Sequence, residues 1–209
     1  MSARPLRAPW SWAARTGWVV MALLGLVVVA FAVLTLAMRG ANSEVAAAMF
    51  ARAPWTTILH IACGIVTLVF GPLQFVPSIR DRHRWLHREI GMAYVAAVVL
   101  GGTAGLLSAP HSYGGLGTHL AFAELALGWI GTTVMAIVAI RRRDILAHQQ
   151  WMVRSYALTL GAVTLRIWMP LSVMAGVPFE VAYPVVAWLA WVPNVVVAEL
   201  WVVPREAGA

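Results

Sequence analysis

Six runs of apolar residues, each roughly twenty residues long, are separated by short polar stretches along the chain. A helix of about 20 apolar residues crosses the hydrocarbon core of a bilayer, and its own hydrogen bonds satisfy the backbone there. The pattern therefore predicts an all-α, polytopic membrane protein that forms one integral membrane domain over residues 1–209. The six predicted transmembrane helices cover residues 18–38, 58–76, 90–109, 118–140, 153–176 and 183–203.

The composition agrees with a membrane protein and excludes an ordinary soluble domain. Apolar residues make up 61% of the chain and charged residues 11%, whereas soluble domains carry about 25% charged residues. All 15 basic residues are arginines, and the formal net charge is +7. In so apolar a chain the charge indicates which side of the membrane each loop occupies, and we expect no nucleic-acid partner.

The arginines divide unevenly between the two predicted sides of the membrane. Arg39 and Arg52 lie on one side, which we call the arginine-poor side, and twelve lie on the opposite, arginine-rich side. The positive-inside rule therefore predicts that both termini are cytoplasmic. The first apolar run is too long for a signal peptide, so we expect an anchor helix. The twelve arginines are Arg4, Arg7, Arg15, Arg80, Arg82, Arg84, Arg88, Arg141, Arg142, Arg143, Arg154 and Arg205.

Four histidines lie near the ends of predicted helices two to five. His60 and His119 lie near the arginine-poor ends of helices two and four, and His87 and His148 directly precede helices three and five. The two turns on the arginine-rich side, RHRWLHREIGMAY and RDILAHQQWMVRSY, resemble each other. Two related hairpins of this kind would form a four-helix bundle with His60 opposite His119 and His87 opposite His148.

Facing histidines in a helix bundle suit a haem, because each imidazole offers one nitrogen to the iron. Predicted helices two to five resemble, in this arrangement, the dihaem transmembrane cytochromes b that carry electrons from ascorbate across membranes. The arrangement predicts one or two haem b groups bound by His60, His119, His87 and His148. The surroundings of His87 and His148 are more polar, so this pair alternatively binds a metal ion, or no ligand.

Arg166 lies inside predicted helix five, where an unpaired charge is costly. At 1.5 Å per residue it lies about 18 Å beyond Arg154, too deep to reach the arginine-rich interface. Glu124 reaches a comparable depth from the other side, which predicts an Arg166–Glu124 ion pair. Alternatively, Arg166 binds a haem propionate or a quinone oxygen, for which its guanidinium fork is suited.

Three further stretches carry a resemblance to a known family. They are LHIACGIVTLVFGPLQFVPSIRDRHRWLHREIGMAYV, AHQQWMVRSYALTLGAVTLRIWMP and WVPNVVVAE, in that order. Together they are similar to domain-of-unknown-function family 2306, a family of predicted bacterial multi-pass membrane proteins, over about residues 57–200. The resemblance implies a multi-pass fold in the bacterial cytoplasmic membrane, and it implies no activity.

Two classes of function remain open after these observations. The first is a b-type haem electron carrier that passes electrons from a quinol or a small reductant to an acceptor across the membrane. The second is a non-catalytic structural or assembly subunit of a larger membrane complex or a homo-oligomer, which suits a chain with short loops. The chain contains no phosphate-binding loop, paired-cysteine motif or nucleophile elbow, and the sequence leaves open whether it is an enzyme.

Overall fold

The computed structural model describes residues 11–203, and every regular element in that range is a helix. Six helical segments are long and apolar enough to cross a membrane, and each coincides with one predicted helix, with shifted ends. The all-α polytopic prediction is therefore confirmed. The six spans are Trp12–Ala37, Pro54–Gln74, Arg84–His111, Leu116–Arg141, Ile145–Met174 and Phe179–Leu200.

Ten α-helices, numbered in chain order, build these spans and the connections between them. A 3₁₀ turn (Ala109–His111) follows α5, and a π-helical turn (Ala198–Val202) follows α10. The short helices α2 and α4 lie between spans, where the sequence pattern had predicted no helix. The α-helices are α1 (Trp12–Ala37), α2 (Glu44–Arg52), α3 (Pro54–Gln74), α4 (Pro77–Arg82), α5 (Arg84–Ser108), α6 (Leu116–Arg141), α7 (Ile145–Thr159), α8 (Gly161–Met174), α9 (Phe179–Leu189) and α10 (Val192–Val197).

Several helix starts follow directly from local sequence. The side chains of Ser11, Ser43 and Asp144 accept hydrogen bonds from backbone N–H groups in the first turns of α1, α2 and α7. These N–H groups have no partner within their own helix, so a side-chain cap stabilises the start. Pro54 and Pro77 occupy the first turns of α3 and α4, where proline needs no N–H donor.

Four helices form a bundle, as predicted for helices two to five. α3 packs on α5 and α6 packs on α7, as two hairpins, and contacts of α5 with α6 and of α3 with α7 close the ring. α3 therefore lies diagonally opposite α6, and α5 lies opposite α7. Outside this ring, α1 packs on α3 and α8, and α9 packs on α6 and α8.

A network of buried hydroxyl groups fixes three helices of the bundle to one another. The Tyr94 hydroxyl lies 2.9 Å from Ser155 Oγ and 2.8 Å from Thr159 Oγ1. Thr133 Oγ1 lies 2.7 Å from Ser155 Oγ, and Trp129 donates its Nε1–H to Thr159 Oγ1 at 2.9 Å. Because these groups find partners within the protein, α5, α6 and α7 are held in one arrangement.

The fifth and sixth spans are each interrupted. Leu160 separates α7 from α8, and Ala190 and Trp191 separate α9 from α10. α9 ends at Leu189, four residues before Pro193. A proline ring displaces the carbonyl four residues earlier, which accounts for the interruption in the sixth span.

One asparagine connects the two interruptions. The Asn194 amide nitrogen lies 3.2 Å from the carbonyl oxygen of Ala157, 3.0 Å from that of Ala190 and 3.1 Å from Thr164 Oγ1. Thr164 also donates its hydroxyl hydrogen to the carbonyl of Ala190. Backbone groups released by a broken helix need such partners inside a bilayer, so Asn194 and Thr164 stabilise both interruptions.

Candidate functional site

A cavity of about 260 Å³ lies in the arginine-poor half of the bundle. Residues from α3, α5, α6, α8 and α9 line it, and Met49 of α2 contributes from the arginine-poor side. Trp129 and Thr159 form its boundary with the hydroxyl network. The lining is mostly apolar and rich in glycine and alanine, so a polar group in the cavity has few side chains with which to form hydrogen bonds.

His60 borders this cavity from α3. The residue is exposed, and part of its surface lines the cavity. His60 Nδ1 lies 2.9 Å from the carbonyl oxygen of Gly101, so Nδ1 carries the hydrogen and donates it. The lone pair of His60 is then on Nε2. A Cβ atom at Gly105 would lie 2.9 Å from His60 Nδ1, so glycine is needed there for this position of the ring.

Arg166 of α8 also lines the cavity. Its Nη1 donates to the carbonyl oxygen of Ala162 at 2.8 Å, and its guanidinium carbon lies 5.1 Å from the centre of the Phe31 ring. Its Nε is buried without a hydrogen-bond partner. No carboxylate within residues 11–203 forms an ion pair with Arg166. The cation is therefore held by a ring and a carbonyl, and it retains unused donors.

The predicted Arg166–Glu124 ion pair is wrong. Glu124 is exposed on the outward side of α6, together with Leu120 and Leu127, whereas Ala121 on the same helix is fully buried. The helical phase of α6 turns the Glu124 carboxylate away from the bundle. The position of Glu124 along the helix did not reveal which way its side chain points, because α6 is apolar on nearly all sides.

We expect the stability effects of Arg166→Leu and Glu124→Leu to be additive. The stability effects of substitutions at residues that do not touch usually add to within about 0.5 kcal/mol, because neither substitution removes a contact made by the other residue. The measurement is thermal unfolding of the detergent-solubilised protein, followed by reaction of a thiol dye with Cys63, which is buried and is the only cysteine. Partial recovery in the double variant would instead demonstrate an ion pair.

His119, predicted to face His60, does not line the cavity. Its Nε2 lies 2.9 Å from the carbonyl oxygen of Ser112, in the turn before α6. The two histidines lie on diagonally opposite helices as expected, but only His60 has its ring at the cavity. Binding of a ligand by His119 stays a prediction.

His87 and His148 lie close enough to interact electrostatically on the arginine-rich side. His148 Nδ1 donates to the carbonyl oxygen of Ala136 at 2.9 Å. With its amide oriented as the surrounding hydrogen bonds require, Gln74 donates to His87 Nδ1 at 2.9 Å. Among the residues from 11 to 203, no group of three or more His, Cys, Asp or Glu side chains is placed to hold a metal ion. A metal bound by His87 and His148 alone stays a prediction.

The model of the family of predicted membrane proteins designated DUF2306 matches residues 57–202. The chain belongs to this family. No curated protein and no solved structure matches the chain. The match confirms the resemblance found in the sequence, whereas the likeness to dihaem cytochromes b rests on helix arrangement alone.

Two helices that precede the DUF2306 region complete the site. Phe31 of α1 supplies the ring at Arg166, and Met49 of α2 lines the cavity. α1 is attached to the DUF2306 region by Trp18, which donates its Nε1–H to the carbonyl oxygen of Pro72 at 2.9 Å. The cavity therefore depends on more of the chain than the family match covers.

Sequence reasoning missed Gly64 and Tyr183, which line the cavity of this DUF2306 protein, and Phe31, whose ring contacts Arg166. Gly64 lies four residues after His60, so the two share one face of α3, and this spacing was a usable signal. Phe31 and Tyr183 carried no such signal, because the sequence does not show which helices α1 and α9 contact.

Proposed function

We propose that this protein is a membrane-integral redox carrier that holds one haem b in the cavity, with His60 Nε2 as the nitrogen that would bind its iron. One observation carries the proposal: His60 donates its Nδ1–H to the Gly101 carbonyl while its ring borders a largely apolar cavity. Histidines that bind metals usually donate their other ring N–H to such an acceptor, which fixes the tautomer and the ring orientation. His60 is therefore held in the form that an iron ligand requires.

Arg166 and the glycines support a haem in this cavity. Arg166 has a buried Nε without a partner and no ion pair with a described carboxylate, and a haem propionate would supply the missing anion. A Cβ at Gly64 would meet no atom within 4 Å, so α3 leaves open space beside His60. The open apolar space and the unpaired cation suit a mostly apolar group with a carboxylate at its edge, and haem binding would also require side chains to move, because the cavity of about 260 Å³ is smaller than a haem.

Bound haem would supply one-electron redox chemistry. His60 would bind the iron, Arg166 would neutralise a propionate, and the apolar walls would keep water from the group. We propose one haem and not two, because Tyr94, Trp129 and Tyr156 pack as a buried cluster towards the arginine-rich half.

An absorption spectrum of the purified protein, made with ample haem supply and reduced with dithionite, tests the proposal. We expect the Soret and visible absorbance of a haem, and a single haem per chain. In Gly64→Leu the new side chain occupies the open space beside His60, so we expect the bands to be lost. Gly131 also has open space around its Cβ position but lies exposed on α6, so Gly131→Leu should retain them.

Two results would overturn the proposal. One is a folded wild-type protein without haem absorbance under these conditions, including one that instead carries a quinone in the cavity. The other is equal haem content in Gly64→Leu and the wild type, because the haem would then lie elsewhere.

A further inference from the structure

A groove of about 340 Å³ lies between α1 and the interruption of the fifth span, and we call it the α1 groove. Gly17 and Val20 belong to its α1 wall, and the opposite wall includes Ile167 of α8 and Asn194 of α10. Val20 is 50% exposed and Ile167 39%, so the groove is open to the surrounding bilayer. None of the described residues that line it is charged.

Asn194 brings an unused hydrogen-bond acceptor to this groove. Three acceptors surround its Nδ2 atom, which fixes the orientation of the amide: the carbonyls of Ala157 and Ala190, and Thr164 Oγ1. The Oδ1 atom accepts no hydrogen bond from any residue between 11 and 203, and it is not sealed inside the protein. Both lone pairs of Asn194 Oδ1 are therefore available to a donor from outside the chain.

The position of Asn194 in the membrane limits where such a donor can come from. The Arg154–Glu199 ion pair marks the arginine-rich boundary, and Asn194 lies five residues before Glu199, or about 8 Å deeper. Thr164, to which Asn194 donates, lies ten residues or about 15 Å beyond Arg154. Water and lipid headgroups lie near the level of the charged residues, so the donor must belong to a molecule that enters the hydrocarbon layer.

We propose that the α1 groove binds a quinol, with one ring hydroxyl donating to Asn194 Oδ1. The ligand must be neutral, because the groove offers no charge to pair with a carboxylate or a phosphate. It must also carry a donor, because Asn194 Nδ2 is already used. A quinol meets both requirements, whereas a phospholipid fails the first and an oxidised quinone fails the second. A ring also fills a groove of this volume better than a single alkyl chain would.

The α1 groove and the cavity lie on opposite sides of the start of α8. Leu160 and Val163 line the groove, whereas Gly161 and Ala162 line the cavity. A quinol in the groove would therefore lie one helix away from the cavity. Its binding does not require haem, so this inference stands apart from the proposed function.

Native mass spectrometry of the full chain in detergent, under anaerobic conditions, tests the site with decylubiquinol, decylubiquinone and decanol. We expect one decylubiquinol per chain, bound about tenfold more tightly than decylubiquinone, which is the effect of one neutral hydrogen bond. Decanol carries a hydroxyl but no ring, so it should bind at least about tenfold more weakly than decylubiquinol. Haem differs in mass from all three probes, so the same spectra show separately whether haem is bound.

A groove-filling variant completes the test, since Asn194 also stabilises the helix interruptions and is a poor target. A Cβ atom at Gly17 would meet no atom within 4 Å, so Gly17→Leu places its side chain in the groove. We expect it to bind decylubiquinol at least about tenfold more weakly. Gly131→Leu should bind like the wild type, because Gly131 has similar open space but does not line the groove. The inference fails if Gly17→Leu binds decylubiquinol as the wild type does, or if decylubiquinone or decanol binds as tightly as decylubiquinol.

Discussion

Replacing His60 with alanine is expected to lower the haem content of the purified protein at least about tenfold, since a direct iron ligand matters more than the outer contacts that tune it. The substitution should leave the fold intact, because the lost ring borders a cavity and does not fill the core. The measurement is the reduced absorption spectrum, scaled to protein concentration, with thermal unfolding as a check on folding.

Matched histidine variants give this experiment its control. His119→Ala and His148→Ala should keep the bands, because His119 Nε2 contacts the Ser112 carbonyl and His148 Nδ1 contacts the Ala136 carbonyl. Free imidazole should restore the bands in His60→Ala by occupying the vacated space. If His148→Ala lost the bands and His60→Ala kept them, the haem would belong on the arginine-rich side.

The second large effect concerns stability, at the interruptions of the fifth and sixth spans. Asn194→Leu is expected to destabilise the protein by about 2–3 kcal/mol, because it removes the donor that serves the carbonyls of Ala157 and Ala190. The carbonyl of Ala190 keeps the Thr164 hydroxyl, whereas that of Ala157 loses its side-chain partner. A lower midpoint in thermal unfolding, detected by labelling of Cys63, would show the effect.

Ser172→Ala provides the comparison for Asn194→Leu. The Ser172 hydroxyl also donates to a backbone carbonyl, that of Trp168, but it lies exposed in an unbroken turn of α8. Its loss should change stability by about 0.5 kcal/mol or less. If both variants had equal midpoints, Asn194 would not be the residue that stabilises the interruptions.

Much of the fold could be predicted because the bilayer imposes it. Six apolar runs must become six helices, and the diagonal arrangement of helices two to five followed from the histidine spacing. The interruption near Ala190 was harder to predict, since Pro193 marks a break but does not show how the freed carbonyls are satisfied. That answer depends on Asn194, whose partners Ala157 and Thr164 belong to another span.

The site was predicted only in part, for a physical reason. His60 and Arg166 were identified from their depth in the membrane, which follows from their position along a predicted helix, and from the chemistry of their side chains. Glu124 was assigned to the wrong side of α6, because side-chain direction depends on helical phase and an evenly apolar helix gives little phase information. Phe31 was missed because contacts between distant helices are set by tertiary packing.

The position of α1 has a practical consequence for how the protein is divided. The family match begins at residue 57. The contacts that complete the site begin earlier in the chain, with Trp18 and Phe31. A fragment trimmed to residues 57–202 would lack the Phe31 ring at Arg166, the cavity wall at Met49 and the Trp18 side chain that donates to the Pro72 carbonyl. Arg166 would then lose its aromatic contact, so the family boundary is a poor guide to the smallest piece of this protein that keeps the whole site.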